Sequence, residues 1–266
     1  MKIASLLRLI ASAAFALLSL GLSAHADTLD DIKKAGKIRI AIDLAIPPFG
    51  MTDDKMQPTG SDVDLARLLA KDMGVELEIV TTTGPTRIPM LQTNKADIVV
   101  STLSITPDRA KVIDFTKPYY VSPSQFVALK SSGITDDPST LKGKTVGVQS
   151  GTNHQSYMEQ KLPDITEKVY NTVQEAELDL ESGRIDAMLA DKLLMYDWLV
   201  KAGNAKGFDY VGKPVVDPLV AGQVGIGVKK GNAGLQQSLN AAIDQLLADP
   251  AYDKIATGHF PFSIRP

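Results

Sequence analysis

The 266-residue chain has no cysteine. That excludes disulfides, thiolate metal sites, cysteine nucleophiles and a lipid-anchored cysteine. Excess positive charge is also missing: the formal net charge is −3, which argues against nucleic acid or anionic lipid as the main partner. After residue 26 no apolar run approaches ~18 residues, so no further membrane-spanning helix is expected. His154 and His259 have no metal-ligand spacing around them, and neither a metal nor a cofactor is expected. The segment Gly147-Val-Gln-Ser-Gly151 is not followed by Gly-Lys-Ser/Thr, so it is no phosphate loop, and it lacks the Gly-x-Ser-x-Gly pattern of a hydrolase elbow. No low-complexity linker, repeat or like-charge block divides the chain.

The N-terminus carries an export pattern. Lys2 and Arg8 precede an apolar run from Leu9 to Leu22, and Ala24-His25-Ala26 has the form of a cleavage site. Residues 1–26 are therefore expected to be a signal peptide. Its removal takes two cations and no anion, moving the net charge from −3 to about −5. The expected mature protein is a freely diffusing, monomeric periplasmic protein, long enough for two modest cores.

Strand and helix signals then alternate. Strands are expected at 37–42, 75–81 and 96–102, with helices at 62–73 (ended by Gly74) and 87–93 between them. A second series follows, with strands at 144–148, 167–170 and 187–190 and helices at 153–162, 173–182 and from 192. A late strand at 225–229 and a helix at 233–247 close the chain. Alternation of this kind implies an α/β fold with mostly parallel sheets flanked by helices. The series echo each other: Asn94-Lys-Ala-Asp-Ile-Val matches Gly183-Arg-Ile-Asp-Ala-Met. Two lobes of similar build, with a ligand between them, are expected.

The segment Ser101-Thr-Leu-Ser-Ile-Thr-Pro-Asp-Arg109 is the richest in chemistry. Thr102 and Ser104 are expected at a strand's C-terminal end with their hydroxyls on one face. Thr106 suits a helix N-cap and Pro107 the first turn. Two hydroxyls and the planar fork of Arg109 can converge on one carboxylate, at the strand ends where open α/β sheets bind ligands.

In order and spacing, several segments resemble the extracellular solute-binding proteins of ABC transporters for polar amino acids. They are Gly36-Lys-Ile-Arg-Ile-Ala-Ile-Asp43, Pro48-Phe49, Gly60-Ser-Asp-Val-Asp-Leu-Ala66, Ser104-Ile-Thr-Pro-Asp-Arg109, Phe115-Thr-Lys-Pro-Tyr-Tyr120, Val146-Gly-Val-Gln-Ser-Gly-Thr152 and Asp186-Ala-Met-Leu-Ala-Asp191. The resemblance implies a two-lobe periplasmic binding fold, an amino-acid ligand, a permease as partner, and closure on ligand. It gives one lobe at 27–121 plus 219–266 and the other at 122–218, hinged near 121–126 and 218–223. It makes Arg109 the α-carboxylate clamp, supported by Thr102 and Ser104, and Asp191 the α-ammonium partner. Asp191 is also a favoured N-cap for the helix from Lys192. Gly151, Thr152 and Asn153 resemble a turn whose backbone N–H groups face the ligand carboxylate. Asn153 stands where Thr or Ser is more usual.

Arg87, in Pro85-Thr-Arg-Ile-Pro89, is similar to an arginine of glutamate- and aspartate-binding relatives, so an acidic ligand is expected; pairing with Asp43 is the alternative. Ile46 and Ser61 stand where many relatives carry aromatics, which disfavours a cationic ligand side chain. Enzymes that resemble this family, the cyclohexadienyl dehydratases, carry a glutamate three residues beyond the position of Asp191. Here that residue is Leu194, which has no proton to give. The chain is thus expected to bind rather than catalyse.

Overall fold

The computed structural model describes residues 28–249, 252, 258–261 and 263–266. The expected signal peptide lies outside them. Among the described residues no helix is long and apolar enough to cross a membrane.

Two five-stranded sheets organise the chain. The first has the order Glu76–Thr81, Lys37–Ile42, Ile98–Val99, Gly227–Lys229, Ile113–Phe115. Its first three strands are parallel, while Gly227–Lys229 runs antiparallel to both of its neighbours. The second has the order Thr166–Tyr170, Thr145–Gln149, Ala187–Asp191, Ser124–Leu129, Phe208–Val211. There too the first three strands are parallel and the last two pairings antiparallel. Burial on both faces explains the unbroken apolar runs: Ile38, Ile40, Ala41 and Ile42 are all fully buried.

The helix signals lie close to the observed ends. Ser61–Met73 stops at Gly74, whose φ of 69° takes the left-handed conformation open to glycine. Val173–Glu181 begins with a capping box between Thr172 and Glu175. The antiparallel strands Ile113–Phe115, Ser124–Leu129 and Phe208–Val211 were not expected, because short runs in mixed company lack a period of their own. Between the sheets, Tyr120–Val121 and Gln223–Val224 form a two-stranded ribbon, extended by Ser122 N–H donating to the Gly222 carbonyl at 2.8 Å. The chain thus passes between the sheets through two segments bonded side by side.

Candidate functional site

Parallel strands place their carboxyl ends along one edge of each sheet. In the first sheet that edge continues into Asp43, the turn Thr83–Arg87 and the loop Ser101–Ser104. In the second it continues into Ser150–Asn153 and Asp191. The edges face each other and touch: Arg109 Nη2 donates to the Gly151 carbonyl at 3.1 Å, and Ser104 Oγ donates to Asn153 Oδ1 at 3.3 Å. The described cleft is therefore closed.

Arg109 follows Thr106, whose side chain caps the helix by accepting from Arg109 N–H. Its other guanidinium nitrogen, Nη1, donates to the Ser104 carbonyl at 2.8 Å. Burial, and then the neighbouring Arg87 charge, push the guanidinium down to about 9, with Asp191 acting in the opposite direction. It remains charged at neutral pH.

Arg87 is buried at 5% exposure. Its Nη1 donates to the Ser101 carbonyl at 2.7 Å and its Nε to the Gly84 carbonyl at 3.3 Å. Burial lowers its pKa, and the negative charge of Asp43 is the first influence raising it again, with Asp191 and Asp62 further down the order. The guanidinium is thus tied to two backbone carbonyls and faces carboxylates of its own chain. Asp43 is buried, accepts from Ala45 N–H at 2.9 Å, and is pushed up by desolvation.

Thr102 departs from the expected geometry. The third strand of the first sheet ends at Val99, and Thr102 has a φ of 43°, so Thr102 and Ser104 do not share a strand face. A non-glycine residue in that region is strained by the contact between its Cβ and the backbone. Asp62 holds it there: Thr102 N–H donates to Asp62 Oδ2 at 3.0 Å, and Tyr119 Oη donates to Oδ1 at 2.9 Å. Desolvation raises Asp62 to about 6, against the pull of those two bonds. Sequence reasoning did not assign Asp62 a role at the site, although it stands inside the Gly60–Ala66 segment.

Across the cleft, Thr152 Oγ1 accepts from Gln155 N–H as the N-cap of Asn153–Lys161. Gly151 N–H donates to Gln155 Oε1 at 2.8 Å, so that group points into its own helix cap rather than into the cleft. Asn153 Nδ2 is buried without a partner. Asp191, 6% exposed, sits at the N-cap position of Lys192–Trp198, yet its side chain makes no capping bond. Its Oδ1 is buried and makes no hydrogen bond, with His154 Nε2 at 3.6 Å and that nitrogen 2.9 Å from Ser124 Oγ. His154 carried no signal in the sequence beyond its place next to Asn153.

One cavity has Arg87, Thr102, Thr152, Asn153, Asp191 and Leu194 in its wall. Met188 lines it too. Ile46 does not reach it; it is 2% exposed and packed in the hydrophobic core. Ser61 lines a different cavity, beside Asp62, Leu65 and Tyr120. Ile46 is held by its bridge to Gly50, and Ser61 begins the helix Ser61–Met73. No cluster of metal-ligating side chains occurs among the described residues.

Two α/β units with facing strand ends and a paired double crossover are the architecture of a two-lobe binding protein. The sequence matches the family model for bacterial extracellular solute-binding proteins, family 3, over residues 38–262, and the chain belongs to that family. It is 36% identical to the L-arginine-binding protein of Pseudomonas aeruginosa over 230 residues, 85% of this chain and 89% of that protein. It is 33% identical to the histidine-binding periplasmic protein of Salmonella typhimurium over 231 residues, 86% of this chain and 89% of that one. Among solved structures, a cysteine-binding protein from Campylobacter jejuni superposes with a TM-score of 0.81 at 29% identity, over 88% of this chain and 93% of that one. An ancestral amino acid-binding protein described as a precursor of cyclohexadienyl dehydratase superposes at 0.78 with 33% identity, over 88% and 99%. The acidic ligand finds no support in these names.

Proposed function

We propose that the chain captures a polar L-α-amino acid in the periplasm and delivers it to the permease of an ABC transporter. Residues 27–121 with 219–266 act as one lobe and 122–218 as the other, a division supported by the strand membership of the two sheets. Arg109 binds the α-carboxylate and Asp191 the α-ammonium, so a zwitterion joins the lobes through a charge-assisted bond at each end. The observation that carries this reading is the orphaned Asp191 Oδ1, a buried carboxyl oxygen without a hydrogen-bond partner at the closed cleft. A buried acceptor in that state is costly until a donor arrives. Asn153 Nδ2 and the Thr102 hydroxyl are the neighbouring groups positioned to assist. Asp43, Ser104, Gly151 and Thr152 shape the rim through their backbone and cap bonds.

The preference for glutamate or aspartate rested on Arg87 as an unpaired cation. Arg87 is instead bonded to two carbonyls and faced by Asp43 and Asp62. With Arg109 and Asp191 given to the zwitterion, those groups carry no excess positive charge, and a second ligand carboxylate has nothing to neutralise. An acidic side chain is therefore not favoured, and L-arginine is the first candidate on the strength of the relatives' names alone. Thermal-shift measurements with each common L-amino acid test both levels. Ligand at ~100 times its dissociation constant should add ~2.7 kcal/mol. Stabilisation by glutamate and not by arginine would restore the acidic reading; stabilisation by none would end the amino-acid reading. Dehydratase chemistry is disfavoured because Leu194 fills the cavity wall with hydrocarbon where a proton donor is needed.

A further inference from the structure

The two lobes meet backbone to backbone at Gly84. A Cβ built on Gly84 would lie 2.3 Å from the Ser150 carbonyl oxygen, and one built on Gly151 would lie 2.6 Å from Pro85 N. Non-bonded carbon contacts are optimal at ~3.5–4.0 Å, so neither position admits a side chain in this arrangement. The obstruction is main chain and cannot rotate away.

The two glycines differ in why they are glycine. Gly151 has a φ of 70°, a conformation its own loop requires. Gly84 has no such demand, since it is absent from the positive-φ residues and starts the short helical turn Gly84–Thr86. Outside Ser150, the nearest atom to its Cβ position is Arg87 Nη2 at 3.7 Å, an ordinary contact. Pro85 follows directly and restricts a residue with a Cβ at this point of the turn, while the main-chain overlap at 2.3 Å comes from the opposing lobe.

Both sides of the contact are held. Arg87 Nε bonds the Gly84 carbonyl on one side, while on the other Gln155 accepts from Gly151 N–H and the Tyr170 carbonyl accepts from Ser150 N–H at 2.8 Å. A methyl group inserted at Gly84 must therefore separate the lobes instead of shifting a loop. The cross-lobe bonds from Arg109 to Gly151 and from Ser104 to Asn153 are 3.1 and 3.3 Å long and would open beyond hydrogen-bonding range.

We infer that Gly84 is a positioning residue for amino-acid capture: its missing side chain lets the Ser150–Gly151 backbone seat against the first lobe and so sets how far the cleft closes. This rests on the binding reading above. The seat lies beside Arg87 and bounds the cleft next to that residue, so it limits the space left for a ligand side chain as well as the fit of the lobes.

The test compares wild type with Gly84→Ala in thermal unfolding, calorimetry and small-angle scattering. Each is done alone and with each common L-amino acid at millimolar concentration. The expected result is a variant that still folds without ligand, with affinity reduced at least tenfold and loss of the contraction seen in wild type. Wild-type affinity and contraction in the variant would overturn the inference. So would a variant that fails to fold without ligand, because the loss would then belong to the fold and not to closure. A wild type that neither binds nor contracts would instead overturn the binding reading on which this one stands.

Discussion

The two sheets solve one problem identically and another differently. At the start of the third parallel strand of each sheet, an aspartate reaches back to the first. Asp97 Oδ2 accepts from Arg39 N–H at 2.7 Å, and Asp186 Oδ2 accepts from Thr145 N–H at 2.9 Å. Each aspartate also donates its own N–H to the same partner's carbonyl at 2.9 Å. Each pairs with a cation, Arg39 at 2.6 Å in one case and Lys144 at 3.1 Å in the other. Both turns are entered through a left-handed residue, Asn94 at a φ of 55° and Gly183 at 70°. The opposite, carboxyl-end rims share nothing comparable. The first carries Asp43, Asp62, Arg87 and Arg109; the second carries a helix N-cap, Asn153 and Asp191. The scaffold is repeated, and in the proposed reading the two ends of a zwitterion are divided between the lobes. Closure is then favoured by contacts that exist only when the lobes meet.

The largest effect should come from splitting that division. Arg109→Ala should remove amino-acid binding while leaving the unliganded melting curve in place. Loss of a desolvated charge partner costs ~2–5 kcal/mol of affinity, and calorimetry reads it directly. Asp191→Asn should follow closely, with a greater loss for an amino acid than for its deaminated analogue. Equal losses for both would reassign Asp191 to the start of its helix.

The repeated device gives a smaller and graded contrast. Asp97→Ala and Asp186→Ala should each destabilise, by ~1–3 kcal/mol where the acceptor is well buried. Asp97 should cost more, because its side chain is 9% exposed against 37% for Asp186, where water replaces the lost acceptor. Urea titration of the two variants measures the difference, and a larger loss at Asp186 would break the comparison.

The smallest effect concerns pH. Asp62 in the first lobe is raised from 3.8 to about 6 by burial, and Glu177 in the second from 4.5 to about 7 by burial and then by Glu181 and Asp197. Each folded-state value lies above the unfolded one, so the native chain holds these protons more tightly. The stability they contribute is present below the unfolded pKa and is lost as pH rises through 6 and 7 respectively. Asp62→Asn should flatten the stability profile between 3.8 and 6, and Glu177→Gln between 4.5 and 7. Thermal melts across that range in each variant provide the check, and a profile unchanged by either would deny that group its raised value.

Much of this architecture was legible along the chain. Apolar runs bounded by glycine, proline and capping residues mark strands and helices locally, because burial and backbone hydrogen bonding impose periods of two and 3.6. The Asn94–Val99 and Gly183–Met188 echo exposed the repeated unit, and Thr106-Pro-Asp-Arg109 announced a capped helix carrying a guanidinium. What no window of sequence contained was proximity between distant segments. The antiparallel strands needed partners to define them. The strain at Thr102 depends on Asp62, 40 residues away. Arg87 read as the partner of a ligand carboxylate or of Asp43, and the fold brought the Ser101 and Gly84 carbonyls to it. Gly84 carried no signal in the sequence, because the Ser150 carbonyl that meets it comes from the other lobe. Local sequence determined the elements and which of them carry charge. Tertiary structure alone decided which charges are already satisfied and where a missing side chain matters, because both depend on what lies within a few ångströms through space.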